Sequence, residues 1–485
     1  MWSALFSSDY YFFGIIYLLT ILFIIILVIQ QKGDPLKTIT WVLVLLLVPI
    51  IGIILYFYFG QNYRRQKIFN RKGLNDMERM RDFSHLQILE LPKKSFLNDP
   101  KIKSKQHIIT LLLNNSKSLL SEYNTLQIFT AGKEAFDVIL NDIQNAKDHI
   151  HLEYYIIEDD KIGRKVRDLL INKAKEGVEV RVIYDDMGSW SLSDKYLRPL
   201  REAGVQVFAF LPVRFPYFTN KINFRNHRKI VVVDGKIAHL GGMNIADRYI
   251  EGGEGLGMWK DMQLRIVGEA VHSLQVIFLT DWYFVSKQVI NDDKYFPKSS
   301  ISERRLVQIT ASGPDSDWAS IMQAYFAAIS TANDHIYIAT PYFIPNESIL
   351  TALKTASLGG VDVRIMLPYK SDSHLVYRST LSFVSELLEA GVKIYFYHKG
   401  FNHAKLMLVD GIFASVGTAN MDIRSFDQNF EVNAIIYDEE VNNYLESLFL
   451  KDLKLSFNFT LEEWNNRHWL NNFKESLARL LSPLF

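Results

Sequence analysis

Two copies of one sequence pattern constrain this 485-residue chain more than any other feature. The copies recur in the same order, at offsets between 183 and 187 residues. The matching segments are 146–150 with 332–336, 177–182 with 360–365, and 202–205 with 389–392. We therefore expect two similar folded units within one chain.

Each copy has the pattern of alternating helices and strands. A helix is followed by an apolar strand (150–157 and 336–344), then by a second helix that ends at glycine, and then by a β-branched strand (178–184 and 361–367). This order predicts an α/β fold, with β-sheets flanked by helices. We place the first half at 121–302 and the second half at 303–485.

Two uncharged apolar runs precede the repeat, at residues 10–29 and 38–59. Each is as long as the roughly 20 residues that a bilayer core demands, so residues 1–60 are predicted to form a transmembrane helical hairpin. A cleaved signal peptide is the alternative, but no Lys or Arg precedes Lys32. Basic residues in the connecting loop and at 64–72 predict a multi-pass protein of the cell membrane with its catalytic part on the cytoplasmic side. Residues 61–120 would then be a juxtamembrane linker.

The composition excludes several kinds of chemistry. Lys and Arg number 54 and Asp and Glu number 53, so the net charge is +1 and no bulk field favours nucleic acid. The chain has no cysteine, which excludes disulfides, thiolate metal sites and a cysteine nucleophile.

A His-x-Lys motif followed by aspartate occurs once in each half. The chance expectation for one such match is about 0.03, so a matched pair indicates function. The corresponding asparagines lie 17 residues after each histidine. The members are His227, Lys229, Asp234 and Asn244 in the first half, and His403, Lys405, Asp410 and Asn420 in the second.

The spacing within each motif assigns different tasks to its residues. Histidine and lysine at i and i+2 project from one strand face, so both can contact one phosphate. The following Asp-Gly pair predicts a two-residue hairpin turn, which would place His227 opposite Gly242 and His403 opposite Thr418. Asp234 and Asp410 would then hold the turns without touching the substrate.

Together the two motifs can form a complete site for phosphodiester chemistry. One neutral histidine attacks phosphorus, the other acts as general acid and base, and the lysines and asparagines stabilise the phosphate oxygens. A carboxylate should orient each imidazole. Glu431 is the candidate for His403 and Asp261 for His227, with Glu251 and Glu254 as alternatives for the latter.

The paired motifs resemble the signature of the phospholipase D superfamily over residues 121–485. The resemblance implies two tandem halves around a pseudo-twofold axis, a phospho-histidine intermediate, and neither metal nor cofactor. By analogy His227 would be the nucleophile and His403 the acid and base, although members of the superfamily differ in this order.

Within the superfamily, the chain is similar to bacterial cardiolipin synthases. The similarity lies in the double-span start, in Ser312-Gly313-Pro314 and in the ending at residues 479–483. It implies transfer of a phosphatidyl group from one phosphatidylglycerol to a second, with release of glycerol. The partners would be phosphatidylglycerol and membrane lipid and not nucleic acid, and a homo-oligomer stays open.

Other functions fit the same motifs. A phospholipase D-type hydrolase or another phosphatidyltransferase would use the same residues, because acceptor choice depends on the shape of the pocket. A nuclease of the superfamily is disfavoured by the balanced charge and the apolar start. A membrane scaffold without activity is disfavoured by the intact motifs.

Three weaker patterns remain. Residues 211–228 interleave basic and aromatic side chains and would either enter lipid headgroups or pack as a loop. An apolar stripe at helical spacing runs from Trp464 through Leu470, Phe473, Leu477, Leu481 and Leu484, for which docking onto the core is favoured over a membrane-surface helix. His149 and His151 share a strand face, but no third metal ligand is evident.

Overall fold

The computed structural model describes residues 17–19, 21–22, 24–26, 29, 35–48, 52–53, 56, 75–213, 223–480 and 482. The chain divides into two compact units. One comprises residues 1–69 with 215–223, and the other comprises residues 70–214 with 224–485.

The described part of the first unit is helical at Pro35–Leu47. The side chains of Leu45 and Tyr56 are buried, and the rings of Trp41 and Tyr56 meet edge to face at 5.4 Å. In the described stretches of the chain, no helix combines the length and the apolar character that crossing a bilayer requires. The predicted spans at 10–29 and 38–59 lie partly outside the described residues.

The second unit is built on a sheet of 15 strands. Its order is β19-β13-β12-β10-β15-β16-β18-β9-β1-β8-β6-β5-β2-β3-β4. Two further sheets have two strands each, β11 with β17 and β14 with β7. All strands in chain order are β1 Leu120–Phe129, β2 His149–Tyr154, β3 Glu179–Asp185, β4 Gln206–Phe210, β5 Lys229–Val233, β6 Ile237–Gly241, β7 Trp259–Lys260, β8 Gln263–Gly268, β9 Arg304–Ser312, β10 His335–Ala339, β11 Phe343–Ile344, β12 Asp362–Pro368, β13 Lys393–Tyr397, β14 Phe401–Asn402, β15 Leu406–Val409, β16 Phe413–Gly417, β17 Met421–Asp422, β18 Glu431–Tyr437 and β19 Ser456–Asn458.

The strand order is symmetric about the central antiparallel pair of β1 and β9. Outward from this pair, β8, β6, β5, β2, β3 and β4 on one side match β18, β16, β15, β10, β12 and β13 on the other. We call β1–β8 the first half and β9–β19 the second half. The tandem α/β halves predicted from the repeat are confirmed.

Helices connect and cover these strands. They span Asn75–Glu90, Pro100–Ser104, Gln106–Asn115, Gly132–Gln144, Lys161–Lys175, Asp194–Glu202, Arg248–Glu251, Ala270–Ser286, Ser320–Ser330, Glu347–Leu358, His374–Leu381, Val384–Glu389, Ile423–Asp427, Glu439–Leu453, Leu461–Asn465 and Trp469–Leu480. Short 3₁₀ turns lie at Leu91–Lys93, Ser95–Asn98 and Asp293–Tyr295.

Each half contains a parallel strand–helix–strand crossover. In the first half β2 pairs in parallel with β3, and in the second half β10 pairs in parallel with β12. The crossover helices end near Gly177 and Gly360, which have φ values of +92° and +97°. Glycine reaches this left-handed backbone conformation without the strain that a Cβ would impose, so it ends each helix and starts the next strand.

Three apolar clusters hold the second unit together. One lies mainly in the first half and includes Phe136, Ile150 and Val182, and another lies mainly in the second half and includes Ile336, Ile365 and Ile394. The third is shared, because it joins Ile230 and Val232 of β5 to Leu406 and Leu408 of β15, among others. Burial of apolar surface therefore ties the halves to each other.

Part of the expected linker at 61–120 is a folded layer. Helices occupy Asn75–Glu90 and Gln106–Asn115, and Ile108, Ile109 and Leu112 are fully buried in the cluster of the second half. The apolar spacing of the second helix gives it this buried face. From residue 75 onward, the segment is thus part of the unit that it was expected only to connect.

Candidate active site

The two motif histidines occupy matching places in the two halves. His227 lies two residues before β5, and His403 lies between β14 and β15. Only 8% and 6% of their surfaces are exposed. Lys229 Nζ donates to the backbone oxygen of His227 at 2.7 Å, and Lys405 Nζ donates to that of His403. Each ammonium group therefore lies beside the histidine of its own motif.

The carboxylate that holds each histidine comes from the other half. Nδ1 of His227 lies 2.9 Å from Oε2 of Glu431, and Nδ1 of His403 lies 2.7 Å from Oδ2 of Asp261. The predicted pairing, Glu431 with His403 and Asp261 with His227, is therefore wrong. Glu251 instead forms a surface ion pair with Lys161 at 2.8 Å.

Backbone pairing between the halves explains the crossed arrangement. The amide of His227 donates to the oxygen of Phe430 at 2.9 Å, and the amide of His403 donates to the oxygen of Lys260 at 2.7 Å. The carboxylate residue is the next residue in each case. Each histidine segment thus lies against the segment of the other half that supplies its acid.

The two carboxylates are accommodated differently. A Cβ on Gly242 would lie 2.2 Å from Oδ1 of Asp261, so the absence of a side chain there leaves space for this acid. At the matching place in the second half, the hydroxyl of Thr418 donates to Oε2 of Glu431 at 2.6 Å. Asn429 Nδ2 donates to the other oxygen at 3.2 Å.

Burial keeps both histidines neutral. It lowers the pKa of His227 to about 4, with Glu431 opposing this shift and Lys229 adding to it. It also lowers the pKa of His403 to about 4, with Lys405 adding to the shift and Asp261 opposing it. Because a carboxylate only accepts hydrogen bonds, the contact with Glu431 places the proton of His227 on Nδ1 and its lone pair on Nε2. Asp261 favours the same tautomer of His403, whose Nδ1 also lies 2.7 Å from Lys405 Nζ.

Burial also shifts the lysines, whereas the acids stay ionised. The pKa of Lys229 falls to about 7 and that of Lys405 falls as well, in both cases chiefly because burial disfavours charge. Burial alone would raise the pKa of Glu431 and Asp261. The neighbouring histidines and lysines outweigh burial, so both values lie below the ordinary range.

Both motifs open into one cavity of about 1230 Å³. His227, His403, Asn244 and Asn420 all line it. Asn244 is held by Tyr249, whose hydroxyl accepts from Nδ2 at 2.8 Å. The buried Oδ1 of Asn420 has no hydrogen-bond partner among the described residues. The structure thus gathers two histidines and two amides in one chamber, whereas Lys229 and Lys405 lie behind the histidines and do not line it.

Two tyrosines complete the symmetric lining of the cavity. The ring of Tyr155 lies 4.9 Å from that of His227, and the ring of Tyr342 lies 6.3 Å from that of His403, both edge to face. Sequence analysis missed them. The signal was available, because they are 187 residues apart, an offset found elsewhere in the repeat.

Arginines from both halves add positive charge beside His227. Arg225 and Arg424 line the cavity, one from each half. Burial lowers the pKa of Arg225, Asp185 opposes this, and Arg424 lowers it further, which indicates that the two cations lie near one another. Such a pair suits an anionic ligand. The rest of the basic segment, residues 214–222, lies outside the described residues.

The aspartates of the two motifs lie at the hairpin turns and do not line the cavity. Asp234 accepts hydrogen bonds from the backbone amides of residues 147–149, and Asp410 accepts them from residues 333–335. Asp410 also forms an ion pair with the buried Lys105 at 2.7 Å. These contacts join each turn to the start of the neighbouring strand, β2 or β10.

The hairpin register differs from the expected one by one residue. Val233 pairs with Ile237 and Val409 with Phe413, so each loop has three residues and not two. The aspartate and glycine of each turn have positive φ, between 54° and 64°, and the third loop residue closes the turn by donating to the last strand carbonyl. His227 and His403 therefore do not lie opposite Gly242 and Thr418.

The other histidine pair has structural contacts. Nδ1 of the buried His149 lies 2.8 Å from Asp148, and Nδ1 of His151 accepts from Gln275 at 2.7 Å. Phe278 stacks on His151 at 4.4 Å. Among the described residues, no group of three or more His, Cys, Asp or Glu side chains could hold a metal ion.

A duplicated α/β sheet with two His-x-Lys motifs at one cavity defines the phospholipase D-like class. The chain matches the family described as "Cardiolipin synthase, PLD-like domain" over residues 139–282 and 325–453, one segment in each half. Residues 15–61 match the family described as "Phospholipase D-nuclease N-terminal". The chain therefore belongs to the cardiolipin synthase family of phospholipase D-like proteins.

Curated relatives match nearly the whole chain. It is 43% identical to a cardiolipin synthase of Geobacillus sp. (strain WCH70), over 96% of this chain and 92% of the relative. It is likewise 43% identical to the major cardiolipin synthase ClsA of Bacillus subtilis (strain 168), over 97% of this chain and 98% of the relative.

A solved structure shares the fold. The phosphatidylserine synthase of Haemophilus influenzae Rd KW20 superposes with a TM-score of 0.57 at 15% identity. The match covers 79% of this chain and 96% of that one. At this identity the likeness concerns the fold alone.

Proposed function

We propose that this protein is a cardiolipin synthase that transfers a phosphatidyl group from one phosphatidylglycerol to a second, giving cardiolipin and glycerol. The observation that carries the proposal is the pair of crossed histidine–carboxylate contacts at one cavity. Two neutral, oriented imidazoles are what a double displacement at phosphorus needs. The family and its full-length relatives support the lipid substrate.

In the first step, Nε2 of His227 attacks the phosphorus of phosphatidylglycerol. A P–N bond forms and the bond from phosphorus to the glycerol oxygen breaks. His403 gives its proton to the departing glycerol. His403 is protonated at that moment because the bound phosphate is anionic, and a nearby negative charge raises the pKa of an imidazole.

In the second step, a glycerol hydroxyl of another phosphatidylglycerol attacks the phospho-histidine. His403 takes the hydroxyl proton, a P–O bond forms and the P–N bond breaks. Lys229, Lys405, Asn244 and Asn420 stabilise the oxygens of the transition state. Asp261 and Glu431 orient the imidazoles, and Asp234 and Asp410 hold the turns.

We also propose how the chain is arranged at the membrane. Residues 1–60 form a two-span hairpin at 10–29 and 38–59, residues 61–120 follow it, and the halves span 121–302 and 303–485 on the cytoplasmic side. The family match at residues 15–61 and the uncharged runs support this arrangement. The partners are phosphatidylglycerol and membrane lipid and not nucleic acid, as the balanced charge favours, and a homo-oligomer stays open.

The test is a product assay with the full-length protein in phosphatidylglycerol vesicles, with and without a chelator. We expect cardiolipin and glycerol in both conditions, and neither from His227→Ala or His403→Ala. Phosphatidic acid without cardiolipin would indicate a hydrolase. Absence of any turnover would contradict the enzymatic function.

A phosphatidyl ester with p-nitrophenol as leaving group assigns the two histidines. This leaving group departs without protonation, so His403→Ala should still form the phospho-enzyme and release p-nitrophenol in a burst. His227→Ala should give no burst. The opposite result would make His403 the nucleophile.

A further inference from the structure

The helix Trp469–Leu480 exposes its large apolar side chains. Their exposed fractions are 66% for Trp469, 39% for Leu470, 61% for Phe473, 53% for Leu477 and 77% for Leu480. At about 100° per residue, these positions fall within one arc of about 100° on the helix surface. The predicted docking of this stripe onto the core is therefore wrong for residues 469–480; Leu481 and Leu484 lie outside the described residues.

The inward face of this helix carries one small apolar residue, Ala478, which is 2% exposed, beside two charged residues. Glu475 is 4% exposed and forms two contacts of 2.9 Å with Arg467. Arg479 pairs with Glu386 at 2.7 Å and lies over the ring of Phe383 at 4.3 Å. The buried Ala478 and these ion pairs thus fix the rotation of the helix together. Rolling it inward would leave Glu475 and Arg479 without these partners.

The helix lies next to the wall of the cavity. It packs against the helix His374–Leu381. That helix contributes His374, Val376 and Tyr377 to the lining of the chamber that contains His227 and His403. The exposed apolar face is therefore one helix away from the proposed reaction site.

The charges on this helix favour its binding to an anionic surface. Its only acidic residue, Glu475, is buried and paired, while Lys474 is exposed. Trp469 at its start has the amphipathic ring that prefers the headgroup level of a bilayer. A stable protein partner usually contacts roughly 20–30 residues, whereas an interfacial helix needs only one apolar face with basic flanks.

We propose that the apolar face of Trp469–Leu480 docks onto a bilayer that contains anionic lipid and holds the neighbouring cavity at the lipid surface. The inference rests on the proposed function, because it takes the substrate to be a lipid that enters from the bilayer. With the cavity at the lipid surface, the substrate could reach the histidines without first leaving the bilayer for water.

The test uses the full chain, which has no cysteine of its own, so one introduced thiol can be labelled cleanly. An environment-sensitive fluorophore is placed at Phe473→Cys, and the protein is reconstituted in phosphatidylglycerol vesicles whose acyl chains carry a doxyl quencher. The control, Asn472→Cys, is exposed on the same helix about 100° away. We expect quenching at 473 and little at 472.

A kinetic test complements the labelling. The variant Phe473→Ser/Leu477→Ser should raise the apparent KM for phosphatidylglycerol in vesicles about tenfold or more, because it removes two apolar side chains that docking would bury in lipid. Its kcat, and its turnover of a dispersed short-chain phosphatidylglycerol, should stay unchanged. Leu358→Ser alters a residue that is 73% exposed on another helix and should change neither quantity.

Equal quenching at 472 and 473, or none at 473, would overturn the proposal. A third result would also overturn it. The label at 473 could be protected from aqueous iodide without being quenched by the doxyl lipid, which would mean that a second copy of the chain or residues 1–69 cover this face. Quenching of the labelled Phe473→Cys protein, combined with an unlabelled wild type that makes no cardiolipin, would support the docking while it contradicts the proposed function, so the two failures are distinguishable.

Discussion

At the scale of single residues, the site depends on which acid meets which imidazole. Glu431 accepts from His227, Thr418 and Asn429, so its position is fixed by three donors. Asp261 accepts from His403 and from the amide of Met262 at 2.7 Å. Each acid keeps one tautomer of its histidine and stabilises the imidazolium when a proton arrives.

Glu431→Gln should lower kcat for cardiolipin formation by about 10³ or more, because an amide can stabilise the wrong tautomer and carries no charge. The measurement is the initial rate in phosphatidylglycerol vesicles. Glu251→Gln is the control, because Glu251 is exposed and pairs with Lys161, and its rate should stay near wild type. A comparable loss in both variants would contradict the assigned role of Glu431.

The low pKa values of the histidines predict an acid-sensitive fold. Both values are about 4 in the folded chain, below the unfolded value of about 6.5, so the folded state binds fewer protons between these limits. Stability should therefore fall as pH drops from about 6.5 to about 4, by at most about 3 kcal/mol per histidine. In melting curves across this range, His227→Asn should show a smaller fall than wild type. An identical fall would show that His227 does not titrate with folding.

At the scale of elements, the two Asp-Gly turns join the motif hairpins to the neighbouring strands β2 and β10. Each aspartate accepts from three successive backbone amides, which would otherwise lack these partners. The aspartates of the signature therefore serve the scaffold. Their position in the motif reflects the fixed length of the hairpin strand.

Asp234→Asn should destabilise the fold by about 1–3 kcal/mol, because an amide oxygen is a weaker acceptor for these amides. Asp410→Asn should cost more, since it also leaves the buried Lys105 without its ion pair. Thermal melts measure both losses. The kcat of the folded fraction should stay within a few-fold of wild type, and a loss comparable to that of His227→Ala would instead make these residues catalytic.

At the scale of the molecule, the halves share one sheet, one apolar cluster and one cavity. The crossed hydrogen bonds mean that neither half holds an oriented histidine alone. A single chain supplies both histidines and both acids. The duplication is thus a requirement of the site as well as a feature of the fold.

This arrangement predicts that inactive variants do not complement one another. A mixture of His227→Ala and His403→Ala proteins, refolded or coexpressed, should make no cardiolipin, because every chain lacks one of its own histidines. The assay is cardiolipin formed per mole of protein. Recovery of about a quarter of the wild-type rate, the share expected if halves pair at random between chains, would show that the site forms between two copies.

Much of this protein was predictable from local sequence patterns. The β-branched runs and glycine-closed helices predicted the crossovers of both halves. The two motifs identified the histidines that line the cavity and the buried lysines that contact them. Tyr155 and Tyr342 are also separated by an offset of the repeat, so the same comparison of the two copies pairs them. Such features depend on residues close in sequence, or on one fixed offset, so the order of residues is enough to find them.

Only the tertiary structure decided which acid orients which histidine, and which face of the last helix is buried. His227 and Glu431 are 204 residues apart, and their contact depends on two backbone segments that lie side by side. The helix Trp469–Leu480 has the apolar spacing of a docked helix, yet the ion pairs of Glu475 and Arg479 turn that face outward. Periodicity gives the angle between side chains on one element, but their partners depend on how distant elements pack.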